Sequence, residues 1–243
     1  MSLEDVIVKP VNSLIDQSHH ASEAKLAVNG DGFGFAWYSD TRQLGLYKDV
    51  LPAWADGNLL SLASMIKSEL FIAHVRASTF GQVSRSNCHP FTSGSWSFAH
   101  NGQIADFENC RRQLEIKLTD HRYVQRVGNT DSELMFLLLL DHGLDENVQS
   151  ACKSVLQLVK HTSAGSKKAT RVAAVFSNGD TLYALRYSTD SKSPSLYYCE
   201  SENNGTMIAS EPLDGDSDKW RTIPEQSLFS VNDSGITCHT FES

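Results

Sequence analysis

The sequence predicts an α+β fold in which two antiparallel sheets lie between helical layers. Residues up to 104 show mainly strand patterns, residues from there to 161 show mainly helical patterns, and the patterns of the remaining chain are almost entirely those of strands. This order of strands, helices and strands is the one expected for such a sandwich. The 243 residues contain no Pro-rich linker, internal repeat or low-complexity segment, so residues 1–243 are predicted to form a single domain.

Aromatic and alternating side chains mark the early strands. Residues 33–38 read Phe-Gly-Phe-Ala-Trp-Tyr, and residues 44–50 continue the alternation, which is typical of paired strands. Between Leu59 and Ile66, apolar residues recur with the spacing of a helix. The elements predicted in this part are strands over 33–38, 44–50, 70–78 and 96–104 and a helix over 58–67.

The middle of the chain is predicted to be helical. Residues 107–118 are amphipathic. Thr130 is a suitable N-cap for an apolar helix over 131–142, and Asp131 and Glu133 lie in its first turn, where the helix dipole favours negative charge. A further helix is predicted over 146–161, followed by a polar surface loop.

The last third of the chain is predicted to be β. Residues 172–176 and 181–187 flank Asn178-Gly179, a dipeptide typical of a two-residue hairpin turn with positive φ angles. Further short strands are predicted over 196–200, 206–210 and 227–231.

The composition argues against several classes of function. A formal net charge of −8 does not fit a nucleic-acid-binding surface, which is normally basic. No apolar run approaches the roughly 20 residues that a transmembrane helix needs, and no signal-peptide pattern opens the chain. We therefore expect a cytoplasmic protein with neither a membrane nor a nucleic acid as partner.

The cysteines and histidines do not indicate a cofactor. The five cysteines are widely spaced and no pair has Cys-x-x-Cys spacing, so the sequence predicts free thiols, with neither a zinc site nor a redox motif. Of the nine histidines only His19 and His20 are adjacent, and nothing near them supplies further ligands. We expect no metal and no cofactor.

Polar residues that suggest a reaction lie in four short segments, 72–79, 87–91, 98–102 and 129–133. An arginine grips a carboxylate with two parallel donors, and an aspartate accepts an ammonium. An Asn amide beside a Gly backbone N–H can donate to a developing oxyanion. Such a set suits a free α-amino acid headgroup held beside a reacting amide. The residues that supply it are Arg76, Asn101, Gly102 and Asp131.

Each of these residues also has a purely structural interpretation. Arg76, at the end of an apolar strand, can pair with a surface acid. Asn101-Gly102 can form a simple turn, and Asp131 can be an acid placed favourably at a helix start. The histidines beside these groups are predicted to be structural or supporting residues: His74, His89 and His100. The glycines of residues 29–34 are predicted to let the backbone approach the site closely: Gly30, Gly32 and Gly34.

The order and types of these residues resemble the glutaminase domain of the class II glutamine amidotransferases, which are N-terminal-nucleophile hydrolases. The chain is most similar to the small stand-alone branch that includes the ergothioneine-pathway γ-glutamyl amidohydrolase. Residues 3–6, 13–18, 29–34 and 208–213 extend the similarity over most of the chain. The resemblance implies a four-layer αββα sandwich and one glutamine amidotransferase type-2 domain over residues 1–243.

The resemblance also implies a role for each candidate residue. Arg76 and Thr79 would bind the substrate α-carboxylate, and Asp131 would bind the α-ammonium. Asn101 and Gly102 would stabilise the oxyanion. Amidotransferases that feed larger synthases carry an aromatic residue after the Arg and a His after the Thr. This chain departs from that pattern with the residues Ala77 and Phe80.

The family nucleophile is missing from the printed sequence. Members begin with a cysteine whose own α-amine acts as base, whereas this chain begins Met1-Ser2-Leu3 and has no cysteine before Cys88. Three explanations are open: a native segment beginning Met-Cys is absent from this chain, the protein is a non-catalytic relative, or Ser2 replaces the cysteine. We favour the first, and expect such a segment to form a strand and the printed chain to be inactive.

The resulting prediction is a hydrolase that cleaves glutamine or a small γ-glutamyl amide through a γ-glutamyl thioester. The alternative is a catalytically inactive relative that serves as a γ-glutamyl ligand-binding or regulatory subunit. The resemblance permits a homodimer and a separate enzyme that accepts the ammonia.

Overall fold

The computed structural model describes residues 1–23, 27–78, 82–201, 205–214 and 217–241. The α-helices in these ranges are α1 (Glu4–Ile7), α2 (Leu14–His19), α3 (Leu59–Met65), α4 (Phe107–Glu115), α5 (Asp120–Tyr123), α6 (Asp131–Asp141) and α7 (Val148–Thr162). The strands are β1 (Phe33–Tyr38), β2 (Leu44–Asp49), β3 (Phe71–Val75), β4 (Phe91–Ser93), β5 (Trp96–Gln103), β6 (Arg171–Ser177), β7 (Leu182–Ser188), β8 (Tyr197–Ser201), β9 (Gly205–Ala209), β10 (Arg221–Thr222), β11 (Ser227–Asn232) and β12 (Gly235–Thr240).

The described strands form three antiparallel sheets, not the two that the sequence predicts. The largest has the order β12-β11-β7-β6-β5-β4, and two three-stranded sheets have the orders β2-β1-β3 and β10-β8-β9. The predicted class is confirmed as a mixed α and β protein with antiparallel sheets. The extra sheet arises because β3 and β9 stand at the ends of their sheets in the described chain and do not pair with each other.

The main core lies between the six-stranded sheet and three helices, α4, α6 and α7. Helix α6 begins where predicted, because the Thr130 side chain accepts a hydrogen bond from the Glu133 backbone N–H at 3.2 Å. Residues 132–140 of α6 are all buried, which explains why its sequence is apolar on every face. Phe136 stacks on Phe98 of β5 with 5.3 Å between ring centroids, so α6 packs against β5.

A second core joins the short N-terminal helices to the β1–β3 sheet. Leu3 of the segment before α1, Phe35 of β1 and Ala63 of α3 are fully buried in it. Helix α2 is too short for its apolar pattern to be recognised, but it has a complete capping box in which Ser13 and Asp16 bond reciprocally. A third cluster lies between β6 and β8, where Ala173 packs near Leu196.

Two local predictions differ from the structure. Ser177 pairs with Leu182, so the hairpin loop has four residues, and within it only Gly179 has a positive φ, +95°. The Asn178 side chain accepts hydrogen bonds from the backbone N–H groups of Asp180 and Thr181, and this closes the loop without a second positive φ.

Strand β12 was not predicted, because all its residues are exposed and so show no alternating pattern of burial.

No helix in the described part of the chain combines the length and the apolar character that a membrane crossing requires.

Candidate functional site

The predicted site residues lie where β3 approaches β5. Arg76 follows the last residue of β3, and Asn101 and Gly102 lie near the end of β5. Asp131 opens α6, and its carboxylate accepts the backbone N–H of Ile104, just after β5, at 2.8 Å. The structure therefore places three of the four residues on one strand end and the helix tied to it, and the fourth on the neighbouring sheet.

Arg76 is buried, with 4% of its surface exposed. Its Nη1 donates to the Asp31 carbonyl oxygen at 3.3 Å, and its Nη2 donates to the Ser78 hydroxyl at 3.0 Å. The Asp31 carboxylate in turn accepts the Ser78 backbone N–H at 2.7 Å. These contacts fix the direction of the guanidinium before any ligand is present, which lowers the entropy cost of binding an anion.

The segment around Asp31 approaches this site closely, as its glycines predicted. Gly32 has a φ of +115°, and a Cβ there would lie 2.5 Å from the Cys88 Sγ. The Gly32 carbonyl oxygen accepts the backbone N–H of Arg76 at 2.8 Å. Glycine is therefore required here by both conformation and space.

The alternative that Asn101-Gly102 forms a turn is wrong. Both residues lie inside β5, where Asn101 pairs with Ala173 and Gly102 with Val172 of β6. Gly102 has a φ of +147°, and a Cβ there would lie 1.9 Å from the Arg171 carbonyl oxygen. The site thus carries an exposed Asn101 beside a position that only glycine can occupy.

The Asp131 carboxylate is held at both oxygens. One oxygen accepts the Ile104 N–H, and the other accepts the Ser132 N–H at 2.9 Å. Both donors are backbone groups, and the helix start adds a favourable dipole. Asp131 is therefore a fixed anion that is still partly accessible.

Three histidines separate these groups. Burial lowers the pKa of His74 to about 3, and the positive charge of Arg76 acts in the same direction. Burial likewise lowers the pKa of His89 and His100. The His74 and His89 rings lie 4.2 Å apart, and both ring nitrogens of His89 have no hydrogen-bond partner in the described structure. These residues are uncharged at neutral pH, in keeping with the predicted structural role.

A cleft of about 250 Å³ opens beside the site. It runs between the edge of β3 and the edge of β9, and Asn101, His74 and His100 line one end of it. Met1 lines it as well.

The N-terminal residues are paired at the other end of β3. Met1 and Ser68 exchange backbone hydrogen bonds at 3.2 and 3.1 Å, and Ser2 faces Lys67 in an antiparallel bridge. The five residues of β3, about 17 Å of extended chain, therefore lie between Ser2 and Arg76. This position contradicts the alternative in which Ser2 is the nucleophile.

None of the cysteines in the structure suits an N-terminal nucleophile. Cys88 is the one nearest the site, but it is fully buried, its Sγ donates to the carbonyl oxygens of Asp49 and Ser84, and burial raises its pKa. The described residues hold no cluster of three or more His, Cys, Asp or Glu side chains placed to bind a metal ion.

Thr79 and Phe80 lie outside the described residues. Sequence reasoning missed three residues that contact the predicted ones: Asp31 through its carbonyl oxygen, Ser78 through its hydroxyl, and Ser132 through its backbone N–H and its hydroxyl. The close approach of residues 29–34 was the only sign of Asp31. Ser132, in the Thr-Asp-Ser-Glu segment, resembled an ordinary first-turn residue.

Comparisons with known proteins indicate the family of this chain. The family profile described as glutamine amidotransferases class-II matches residues 5–199. The chain is 31% identical to the probable glutamine amidotransferase DUG3 of Saccharomyces cerevisiae, over 98% of this chain and 80% of the relative. It is 26% identical to the gamma-glutamyl-hercynylcysteine sulfoxide hydrolase of Mycolicibacterium smegmatis, over 97% of this chain and 92% of that protein.

A solved structure shows the same fold. The glutamine aminotransferase class-II domain protein from Silicibacter pomeroyi superposes with a TM-score of 0.78 at 37% identity, covering 86% of this chain and 90% of that one.

Proposed function

The chain belongs to the class II glutamine amidotransferases, and on that premise we propose that it hydrolyses the side-chain amide of glutamine or of a small γ-glutamyl compound. The observation that supports the proposal is a fixed cation, Arg76, at the end of β3, together with a fixed anion, Asp131, bonded to the residue that follows the strand of Asn101 and Gly102. The hydrolase relative from Mycolicibacterium acts on a γ-glutamyl compound by name, which supports the same substrate class.

Each residue has a definite part in the proposed reaction. Arg76 binds the α-carboxylate with two donors, and Asp131 binds the α-ammonium. Together they hold the side-chain carbonyl at a set distance from the nucleophile, which replaces a collision by an intramolecular step. The Asn101 amide and the Gly102 N–H stabilise the oxyanion of the tetrahedral intermediate.

The proposed nucleophile is a cysteine thiolate at a free N-terminus. The α-amine, whose conjugate acid has a pKa of roughly 7.7–8.0 when unperturbed, takes the proton of the thiol. The thiolate attacks the amide carbon, the C–N bond breaks, and the leaving nitrogen takes that proton back from the α-ammonium. Water then attacks the γ-glutamyl thioester and releases glutamate and the thiol. No cofactor is needed for this sequence of steps.

We propose that this cysteine reaches the site on an extended segment in the cleft between β3 and β9. The pairing of Met1 with Ser68 already starts an antiparallel ladder along the edge of β3. A chain continued upstream from Met1 in this register runs past β3 towards Arg76. Backbone groups on both cleft edges would then gain partners, because β3 and β9 are end strands in the described sheets.

The second candidate function is a subunit that binds γ-glutamyl ligands without cleaving them. Hydrolysis by a form that carries an N-terminal cysteine would argue against this candidate. Tight glutamine binding with no turnover by such a form would support it.

Replacing Arg76 with lysine is expected to weaken glutamine binding by about 30-fold or more. Lysine keeps the charge but lacks the two-pronged donor set that matches a carboxylate. Titration calorimetry of the full chain with L-glutamine measures the change. Arg85→Lys is the matched control, because Arg85 is exposed and pairs with Asp49 on the surface. Equal effects of the two variants would remove Arg76 from this role.

Replacing Asn101 with alanine is expected to lower kcat by roughly 10²–10³-fold in a form that carries the N-terminal cysteine. Glutamine affinity should change little, since the amide acts mainly on charge that appears in the transition state. Steady-state glutamate release gives both constants. A rise in KM with kcat preserved would contradict the oxyanion assignment.

A further inference from the structure

Two buried side chains behind Asp131 link it to the strand that carries Asn101. The Ser132 hydroxyl lies 2.9 Å from His100 Nδ1 and 3.5 Å from the nearer carboxylate oxygen of Asp131. His100 is 3% exposed and Ser132 is 5% exposed, so water does not compete for these contacts. His100 directly precedes Asn101 in β5.

The direction of these hydrogen bonds depends on which ring nitrogen of His100 carries the proton. When His100 Nδ1 donates to the Ser132 oxygen, the hydroxyl hydrogen is left to point at the Asp131 carboxylate. Burial lowers the pKa of His100, so the ring is neutral and the run of contacts adds no charge beside Asp131.

We propose that His100 and Ser132 are positioning residues that aim the Asp131 carboxylate at the substrate α-ammonium. This inference rests on the proposed function, because it takes Asp131 as the ammonium-binding group. Neither side chain is required to touch the substrate. Removing either side chain should therefore weaken the binding only of ligands that carry the ammonium group.

The test compares two ligands that differ by that group alone, L-glutamine and 4-carbamoylbutanoate, which lacks the amine. Binding of each to the full chain is measured by titration calorimetry for Ser132→Ala, His100→Leu and His100→Asn. Asn is chosen because its side-chain amide places a donor near the position of Nδ1. Ser177→Ala is the matched control, since Ser177 is fully buried and bonds to Thr181 on a different strand end.

We expect Ser132→Ala and His100→Leu to weaken glutamine binding about tenfold, in line with the loss of a buried hydrogen bond next to a charge. Binding of 4-carbamoylbutanoate should stay within about twofold, and His100→Asn should recover most of the affinity for glutamine. Ser177→Ala should change neither ligand. The double variant Ser132→Ala, Asp131→Asn should bind glutamine no more weakly than Asp131→Asn alone.

Other results would overturn the inference. Equal weakening of both ligands would show a general structural role, and no weakening would show that Asp131 needs no support from Ser132. If Asp131→Asn itself fails to discriminate between the two ligands, the proposed headgroup assignment falls and this inference with it. Ser132→Ala removes one oxygen atom, so it carries the test even if His100→Leu does not fold.

Discussion

A cysteine supplied on an extension of about eight to ten residues before Met1 is expected to turn this chain from inactive to catalytic. The pairing at the N-terminus sets this length. Ser2 faces Lys67 and Met1 faces Ser68, so each upstream residue faces the next residue along the β3 edge. The eighth residue before Met1 then faces Arg76, the first predicted substrate-binding group on that strand.

A series of extensions tests this length. Forms that begin Met-Cys, with the initiator Met removed, are made with about five, nine and fourteen added residues, and glutamate release from glutamine and several γ-glutamyl amides is measured. A strand advances about 3.4 Å per residue, so the shortest form leaves the thiol roughly 10 Å short of the site. Activity that peaks at the middle length supports the cleft as the strand site. Equal activity at every length would contradict it.

A serine in place of the added cysteine distinguishes the effect of the added strand on stability from the effect of the nucleophile on turnover. The serine form should show almost no turnover, because a hydroxyl is a much weaker nucleophile than a thiolate. It should nevertheless unfold at higher denaturant concentration than the printed chain, because β3 and β9 both gain a partner. If an extension gives activity but does not raise the resistance to denaturant, the added segment does not pair with β3 and β9, and the cysteine reaches the site by another path.

How much of this site the sequence predicts depends on the range of the interactions. The cap of α6 was predictable because Thr130 and Glu133 are three residues apart. The contact of Arg76 with Asp31 joins positions 45 residues apart, and no local pattern indicates it. The local sequence indicated only that Gly30 and Gly32 let the backbone approach the site closely, and it did not indicate which residue is approached.

The Asn-Gly pairs show the same limit. Asn178-Gly179 does lie in a hairpin loop, whereas Asn101-Gly102 lies inside a paired strand. The dipeptide is the same, so the difference comes from β6, which pairs with β5 from a distant part of the chain. The third sheet was unpredictable for a related reason. Strands β3 and β9 are far apart in the chain, and no local pattern indicates whether two such strands pair with each other.

Acid is expected to destabilise this protein through the histidines between Arg76 and Asn101. The pKa of His74 falls from 6.5 to about 3 in the folded chain, with burial as the main cause, and burial lowers the pKa of His89 in the same direction. Between these pH values the unfolded chain binds more protons than the folded one. Stability is therefore complete above about pH 6.5 and is lost as the pH falls towards about 3.

The size of the effect follows from the shift. At about 1.4 kcal/mol per pKa unit, the full His74 shift corresponds to roughly 5 kcal/mol. Part of the ring faces the cleft, so we expect about 2 kcal/mol to be lost by about pH 4. Urea unfolding at a series of pH values measures the slope. His74→Gln should flatten it, because the variant has no proton to take up at this position.

The exposed His121 supplies the control, since the slope should be unchanged in His121→Gln. Carboxylates also titrate in this range, so the informative quantity is the difference in slope between each variant and the parent chain. A parent slope that survives His74→Gln would show that the ring is already charged or hydrated in the folded state. In that case the site would present a second cation beside Arg76, and substrate binding would strengthen, not weaken, as the pH falls towards 5.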